Sequence, residues 1–348
     1  MAKFSFIVPV YNCGEFLQPC VESLLGQTGG DYEILLVDDG AGDGSGAVCD
    51  RLAETHACVR VFHKENGGAA SARNLGIREA RGDYLIFIDG DDTVEPELLE
   101  RVEDALREEN PDLVIFGISF DYYEKAGQPE RREVLAVRHP GRHDRAFFRE
   151  NFRGLFADNA LSSACNKVFS REILRKAGLA FREDMTLYED LEFVLRYLQA
   201  AESFVCLEKA LYHYRIDAAG FSGKRTEDLM RLGHNLHALA ETVFSLEPLP
   251  EAAAEVTVEL YLGLLLRHLL TAGNPDGKFQ QVCTFCEDPL FCRALDMSKA
   301  PAGREGTLLE LVESREERKL GRWLRYLRMK SGLRRTVGKT LRKLGLRR

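Results

Sequence analysis

Short apolar runs alternate with helical patterns along the first 118 residues of the chain. The apolar runs predict five strands, over 4–11, 32–40, 59–64, 83–90 and 112–118. Apolar residues at helical spacing predict four helices, over 15–26 with Asn12 as its cap, 44–56, 69–80 and 96–109. Because buried strands that alternate with helices are typical of layered domains, the pattern predicts an α/β fold with a mostly parallel sheet flanked by helices.

The pattern changes after this segment. Residues 119–150 are polar and irregular, which indicates a β-hairpin or a loop, and residues 151–215 return to mixed signals with a helix near 189–201 and a strand near 204–208. The remaining signals are mainly helical. We therefore expect an α/β domain over 1–220, a helical C-terminal region over 221–312 and a basic amphipathic tail over 313–348.

Charge is distributed unevenly along the chain. The formal net charge is −8, yet residues 318–348 contain 13 Lys or Arg and no Asp or Glu. In this tail Leu320, Trp323, Leu324 and Leu327 fall on one helical face, with arginines on the opposite face. Such a helix can lie on an anionic membrane, where each basic residue contributes on the order of 1 kcal/mol. A membrane surface is the favoured partner, a solvated tail is the main alternative, and nucleic acid is the least favoured.

The cysteines and the apolar segments bear on location. Nine cysteines, an odd number scattered along the chain, are typical of reduced thiols rather than of a disulfide framework. The chain enters a strand pattern at Phe4, which argues against a secretory signal. The longest apolar stretch, 256–270, contains Glu259 and Arg267 and is short for a bilayer span. We expect a cytoplasmic protein, peripheral on the cytoplasmic face of the membrane.

Acidic or polar residues follow three of the predicted strands, at the sheet edge where open parallel sheets bind ligands. They stand in the segments PVYN (9–12), VDDG (37–40) and DGDD (89–92). Asp89, Asp91 and Asp92 would repel one another unless a cation lay among them. Mn²⁺ or Mg²⁺ prefers carboxylate oxygens, with water and substrate phosphates completing its shell. The alternative is that Asp91 and Asp92 are turn and helix-capping residues.

Two long segments contain most of the recognisable motifs. They are FSFIVPVYNCGEFLQPCVESLLGQTGGDYEILLVDDG (4–40) and NGGAASARNLGIREARGDYLIFIDGDD (66–92). Together they resemble the nucleotide-sugar domain of inverting family 2 glycosyltransferases, and weaker similarity continues to residue 222 through SACNKVFSREIL, LYEDLEF and ALYHYR. The resemblance implies a GT-A fold for the α/β domain, a nucleotide-sugar donor and a Mn²⁺ or Mg²⁺ cofactor.

The first segment would hold the nucleoside, by this resemblance. Pro9 and Tyr11 would line its pocket, with an aromatic ring available to stack on the base; the alternative for Tyr11 is a core tyrosine at a strand end. Asp39 would accept a hydrogen bond from the imide N–H of uracil, which favours a UDP-sugar. Its neighbour Asp38 would brace the loop.

The second segment would hold the metal and the rest of the donor. By the resemblance, Asp91 would be the direct metal ligand and Asp89 would contact the ribose or a metal-bound water. Gly90 would be one of the residues that bind the nucleotide sugar. Asp92 would either support the metal site from behind or cap a helix. Arg73 would either face the phosphates or brace the aspartates.

The downstream motifs would supply the chemistry. By the resemblance, Asp190 would be the general base that deprotonates an acceptor hydroxyl, and Glu189 would orient the base or the acceptor. The alternative is a pair of acids stabilised by a helix N-terminus. His213 or Arg215, on a segment that closes over the donor, would reach the diphosphate.

The chain departs from the family pattern at two places. Ala41 and Gly42 stand where the family often has hydroxyl residues after VDDG, so contacts of that loop would differ. Asn166 and Lys167 are expected near the acceptor, and Cys165 precedes them where relatives often have Trp.

These expectations combine into one function. We expect a metal-dependent inverting glycosyltransferase that moves a sugar, from a UDP-sugar by preference, to a hydroxyl of a glycan or lipid-linked glycan in surface polysaccharide synthesis. One alternative is a catalytically inactive scaffold that binds nucleotide sugars. The other is a sugar nucleotidyltransferase, for which the turn after the first strand is a poor phosphate loop.

Overall fold

The computed structural model describes residues 3–123, 129–157, 161–217, 229–246, 250–271, 279–298, 301 and 303–327. The chain divides into two compact units, Met1–Gly223 and Lys224–Arg348. Most of the predicted basic tail, residues 328–348, lies outside the described residues.

The first unit contains a mixed sheet of ten strands within the described ranges. They are β1 (Phe4–Val10), β2 (Tyr32–Asp38), β3 (Val59–His63), β4 (Tyr84–Phe87), β5 (Thr93–Val94), β6 (Leu113–Tyr123), β7 (Arg131–Leu135), β8 (Gly141–Asp144), β9 (Lys167–Ser170) and β10 (Ser203–Asp217). The main order is β3-β2-β1-β4-β9-β6-β10-β5, with β7 beside β6 and β8 beside β10. Strands β1 to β4 are parallel as predicted, whereas β9 runs antiparallel to both β4 and β6, so the whole sheet is mixed.

Seven α-helices belong to the described part of this unit. They are α1 (Leu17–Leu25), α2 (Ser45–Thr55), α3 (Ala69–Glu79), α4 (Leu98–Glu109), α5 (Arg145–Ala157), α6 (Arg171–Lys176) and α7 (Glu189–Ala200). The four helices and four strands predicted up to residue 109 are all present. The predicted cap of the first helix is wrong, because Asn12 has a φ of 52° and its side chain accepts a hydrogen bond from the amide of Gly42 at 2.9 Å.

A close approach of α3 to β1 sets the position of the site. A Cβ at Gly76 would lie 2.3 Å from a side-chain carbon of Ile7, so only glycine allows this packing distance. The first turns of α3 then stand at the carboxyl edge of the parallel strands, since α3 follows β3 by a short loop. This places Arg73 beside the acidic residues that follow β4.

Residues 119–150 were predicted to form either a β-hairpin or a loop, and the structure has the hairpin. Strand β6 continues to Tyr123 and pairs antiparallel with β7. Strand β10 is longer than the predicted 204–208, since it extends to Asp217 and pairs in parallel with β6 beyond an irregularity between Cys206 and Tyr212. This extension brings residues 212–215 to the carboxyl edge.

The second unit is helical in its described part. Its helices are α8 (Leu229–Ser245), α9 (Pro250–Thr271), α10 (Phe279–Cys286), α11 (Pro289–Met297), α12 (Gly303–Glu313) and a last one at 317–327. In the described ranges, each helix is either too short or too polar to cross a bilayer. In the last helix Leu320, Leu324 and Leu327 are buried, with 3%, 0% and 8% exposure. This apolar face is therefore covered by protein, which corrects the expectation that these leucines face lipid.

Candidate active site

Asp39, just past the end of β2, is buried and organises the Gly-rich turn before α3. Its Oδ1 accepts hydrogen bonds from Nζ of Lys64 at 2.5 Å and from the amide of Gly67 at 2.9 Å, and its Oδ2 accepts from the amide of Gly68 at 2.8 Å. A carboxylate has about four lone-pair positions, and these contacts occupy three of them. The carboxylate is thus fixed in direction by the protein.

Asp38 braces the next loop, as expected. One oxygen accepts from the amide of Ala41 at 2.9 Å, and the other contacts Nδ1 of His63 at 2.8 Å. The second ring nitrogen of His63 contacts Asp50 at 3.0 Å. Because both carboxylates stabilise the imidazolium, they raise the pKa of His63.

Side-chain oxygens that accept from backbone amides hold the 41–45 loop, although Ala41 and Gly42 carry no hydroxyl. Asn12 accepts from the amide of Gly42, and Asp43 accepts from the amides of Gly14 and Ser45 at 2.8 and 3.0 Å. These bonds join the turn after β1 to the turn after β2.

Pro9 and Tyr11 flank Val10, the residue of the first strand that contacts Asp39. The amide of Asp39 donates to the carbonyl of Val10 at 2.9 Å, which fixes the end of β1 against the end of β2. The Tyr11 side chain is 54% exposed, so it is not a core tyrosine. Its ring is available to a planar ligand.

The DGDD segment places its three carboxylates in different surroundings. Asp91 is exposed, Asp89 is partly buried and Asp92 is buried. Gly90 is buried, and a Cβ there would lie 2.7 Å from Sγ of Cys13 and 3.2 Å from the carbonyl oxygen of Pro9. Glycine therefore lets the segment lie against the turn after β1.

Asp91 is the carboxylate best suited to a metal. The surrounding protein partly shields its carboxylate from water, which raises the pKa of Asp91 to about 6, and repulsion by Asp89 adds to this. A cation would offset that repulsion, and oxygen donors fit Mn²⁺ or Mg²⁺. Within the described ranges, no three His, Cys, Asp or Glu side chains are grouped around one metal position. Asp91, with Asp89 behind it, would therefore hold the ion together with donor phosphates and water.

Asp92 is a structural brace, and the helix-cap alternative is wrong. It accepts from the hydroxyl of Tyr212 at 2.5 Å and from the amide of Arg215 at 2.7 Å, whereas α4 begins after Glu97. Burial, with repulsion by the neighbouring aspartates, raises the pKa of Asp92 well above its usual range. Asp92 thus ties the DGDD segment to β10.

Arg73 braces the acids, the second of its two predicted roles. It is 4% exposed, and its guanidinium donates to Asp89 at 2.8 Å and to Asp190 at 2.7 Å. Oε1 of Glu189 lies 3.8 Å from the same guanidinium. These carboxylates raise the pKa of Arg73 well above its usual range against the opposing effect of burial. One cation therefore joins the donor-side acid to the acids of α7.

Asp190 and Glu189 begin α7 and remain partly accessible. Oδ1 of Asp190 faces Arg73, and Oδ2 accepts from the amide of Ala164 at 3.2 Å. The preceding residue, Tyr188, has a φ of 66°, which turns the chain sharply into the helix. The contacts of Asp190 with α3 and with residue 164 make it part of the site, beyond its place at a helix N-terminus.

A cavity of about 250 Å³ lies beside Asp91. His213 lines it, with Nδ1 3.2 Å from Asp121 and Nε2 3.0 Å from Glu95. Arg215 also lines it, and its guanidinium lies between the rings of Phe16 and Tyr123, 4.1 and 3.8 Å from their centroids. The two basic residues predicted to reach the diphosphate therefore share a cavity with the predicted metal ligand.

Asn166 and Lys167 do not line a surface where an acceptor could bind. Both are buried, and Nδ2 of Asn166 donates to the carbonyl of Phe116 at 2.7 Å. Their polar atoms face the interior, which corrects their place as candidates for direct acceptor contact, whereas the expectation that the segment 164–170 lies near the acceptor stays a prediction.

Several residues of the site were missed from the sequence. Asp121 and Phe16 flank the basic residues of the cavity, Lys64 contacts Asp39, and the amide of Ala164 contacts Asp190. Lys64 stands two residues before the first residue of the NGG turn at 66–68, so its proximity to that motif was a usable signal. A backbone amide carries no such signal.

Comparison with known proteins places this geometry in a family. The chain is similar to the uncharacterized glycosyltransferase EpsJ of Bacillus subtilis (strain 168), with 34% identity over 219 residues that cover 61% of this chain and 60% of that protein. It is similar to the putative glycosyltransferase EpsH of the same strain, with 29% identity over 301 residues, 84% of this chain and 85% of that protein. The chain thus spans less than two thirds of EpsJ.

Structure comparison gives the fold. S. aureus TarS 1-349, solved in complex with UDP-GlcNAc, superposes with a TM-score of 0.66 at 18% identity, covering 94% of this chain and 92% of that one. The predicted GT-A fold is confirmed. The family model described as Glycosyl transferase family 2 matches residues 5–178, half of the 348-residue chain. The chain therefore belongs to glycosyl transferase family 2.

Proposed function

We propose that the protein transfers a sugar from a nucleotide donor to a hydroxyl of a glycan or lipid-linked glycan, with inversion at the anomeric carbon. The observation that carries the proposal is the Arg73 bridge. A single buried guanidinium holds Asp89, on the donor side, and Asp190, at the start of α7, each within 3 Å. Donor and base are thereby kept at a fixed separation.

The donor proposed is a UDP-sugar. The exposed ring of Tyr11 supplies a stacking surface, and Asp39 keeps one acceptor position for the imide N–H of uracil. TarS, which has the same fold at low identity, was solved with UDP-GlcNAc. Arg215 provides positive charge in the cavity beside Asp91, where a diphosphate would lie, and His213 lines the same cavity.

A divalent ion on Asp91, when bound, would supply charge neutralisation of the diphosphate leaving group. The protein's own groups perform the remaining tasks. Asp190 accepts the proton of the acceptor hydroxyl while that oxygen bonds to the anomeric carbon, and the bond from this carbon to the diphosphate oxygen breaks. Inversion follows because the displacement is direct and no protein nucleophile intervenes.

Sugar transfer from UDP-sugars in the presence of Mn²⁺ tests the proposal. Asp190→Asn and Asp91→Asn should each lower kcat by at least about 100-fold, since each removes a group used in the transition state. Asp104→Asn, which alters an exposed ion pair with Arg107 on α4, is the control and should retain wild-type kcat. Undiminished turnover by the Asp190 variant would remove the assigned base.

The proposed acceptor is a surface polysaccharide or its lipid-linked precursor, which would place the protein at the cytoplasmic face of a membrane. Sedimentation with vesicles containing anionic lipid tests this part separately. Truncation after residue 327 should abolish binding, because the leucine face of helix 317–327 is covered and the remaining basic residues follow it. Binding that persists after truncation would assign the membrane contact to another surface.

A further inference from the structure

A buried lysine stands behind the proposed base. Lys167 begins β9, and its side chain is 0% exposed. Its ammonium donates to the carbonyl oxygen of Ser163 at 2.6 Å and to Oδ1 of Asn166 at 2.7 Å. Burial lowers the pKa of Lys167 to about 7, and the negative charge of Asp190 opposes this shift. Burial therefore disfavours the charged form of Lys167, and attraction to the Asp190 carboxylate favours it.

One peptide group connects the two side chains. The carbonyl oxygen of Ser163 and the amide N–H of Ala164 belong to the same planar unit. Its oxygen accepts from Lys167, and its N–H donates to Oδ2 of Asp190 at 3.2 Å. A donor on the oxygen of a peptide group polarises its N–H and strengthens the second hydrogen bond.

Other contacts fix both ends of this relay, the path that runs from Lys167 through the Ser163–Ala164 peptide group to Asp190. Asn166 is anchored on β6 through the carbonyl of Phe116, and its Oδ1 orients the ammonium of Lys167. At the other end, Arg73 donates to Oδ1 of Asp190. The two carboxylate oxygens are thus held by different donors, which prevents rotation of the carboxylate.

We propose that Lys167 is a positioning residue for Asp190, acting through the Ser163–Ala164 peptide group. The proposal rests on the proposed function, in which Asp190 is the base. The titratable groups that face Lys167 are Asp190 of α7, Cys165 before β9 and Cys206 of β10. Asp190 itself faces Arg73 of α3.

Kinetics of Lys167→Met test the relay. We expect kcat to fall by about tenfold or more and the acidic limb of the pH–rate profile to move to higher pH, because the base loses a fixed donor and a nearby positive charge. The KM for the donor should stay within about twofold, since Asp39 and Tyr11 are untouched. Lys176→Met, which alters an exposed ion pair with Glu172 on α6, is the matched control and should show neither change.

Comparison of Asp190→Asn with Lys167→Met distinguishes a failure of the Lys167 proposal from a failure of the proposed function. If Asp190→Asn retains turnover, Asp190 is not the base and the proposed function fails. If Asp190→Asn is inactive while Lys167→Met keeps the wild-type kcat and pH profile, the relay is overturned and the base assignment stands.

A spectroscopic test needs no variant of Lys167. The sequence contains two Ser–Ala pairs, at 71–72 and 163–164, so ¹³C-carbonyl serine with ¹⁵N alanine yields two coupled amide signals. The amide of Ala72 donates to Gly68 and serves as the reference. We expect the Ala164 proton signal to move between about pH 6 and 8, around the Lys167 pKa of about 7, and to shift upfield in Asp190→Asn. An Ala164 signal that changes neither with pH nor in Asp190→Asn would overturn the proposal.

Discussion

Replacing Arg73 by methionine tests the bridge on which the site depends. The substitution keeps most of the side-chain volume but removes the guanidinium. Asp89 and Asp190, which it contacts at 2.8 and 2.7 Å, then face each other without a cation. We expect losses of both stability and turnover.

The size of the stability loss follows from the burial of each partner. Removing one member of a buried ion pair costs about 3–5 kcal/mol. Arg73 is buried, but the Asp89 and Asp190 side chains keep 31% and 18% of their exposure and can regain water. We therefore expect the lower end, about 3 kcal/mol in the free energy of unfolding. Arg73→Lys should lose less than Arg73→Met, because a single ammonium can pair with one carboxylate but cannot span both.

Urea denaturation and the transfer assay measure the two effects. Turnover of Arg73→Met should fall by about 100-fold, since displacement of the base by about 1 Å is enough for such a loss. Arg60→Met is the control, because Arg60 pairs with Glu33 and Glu79 outside the site. It should lose some stability and keep the wild-type kcat. An Arg73→Met protein as stable and active as the wild type would refute the bridge.

Three further substitutions address the nucleoside pocket, the packing of α3 and the loop after β2. Tyr11→Ala should weaken UDP binding in calorimetry by about 1–3 kcal/mol. Tyr326→Ala, which alters an exposed tyrosine of the second unit, should leave UDP binding unchanged. Equal UDP affinities of Tyr11→Ala and the wild type would exclude stacking. Gly76→Ala should destabilise by about 1–3 kcal/mol in denaturant titration because its Cβ would lie 2.3 Å from a β1 side chain. Gly154→Ala, whose added Cβ would enter open space, should be neutral or stabilising by up to about 1 kcal/mol. Folding raises the pKa of His63 above its ordinary value of 6.5, so the stabilisation by its charged form is present below pH 6.5 and is lost as pH rises through the folded-state pKa. The stability difference between wild type and His63→Gln should therefore be larger at about pH 5.5 than at about pH 9, and a pH-independent difference would contradict the shift.

The first 109 residues were predictable because the buried parallel strands read as nearly continuous apolar runs. Phe6, Ile7 and Val8 of β1 are all fully buried, so consecutive positions on both faces of this strand are apolar. The position of β9 between β4 and β6 had no such signal. It depends on pairing with strands that are distant in sequence, and four residues of Lys167–Ser170 do not specify a partner.

The site was predictable as a set of residues but less so as a set of contacts. Arg73 could face phosphates or carboxylates, since both are anionic, and only the fold shows that Asp89 and Asp190 surround it. Lys167 illustrates the opposite case. A lysine next to an asparagine suggests a polar surface, yet three-dimensional packing buries both.

The crowding of Asp89, Asp91 and Asp92 has a more specific explanation than a cation shared by three carboxylates. Asp89 is paired with Arg73, a cation that it shares with Asp190, and Asp92 is buried against the hydroxyl of Tyr212 with a raised pKa that favours its uncharged form. Asp91 is the exposed member, and repulsion from Asp89 still acts on it. A divalent ion would therefore need to balance mainly one carboxylate, which leaves most of its charge for the donor diphosphate. Such an ion would bind tightly only when the nucleotide is present, so Mn²⁺ affinity measured by calorimetry should rise on addition of UDP. Equal Mn²⁺ affinity with and without UDP would contradict the argument that the ion balances mainly Asp91 and the donor diphosphate.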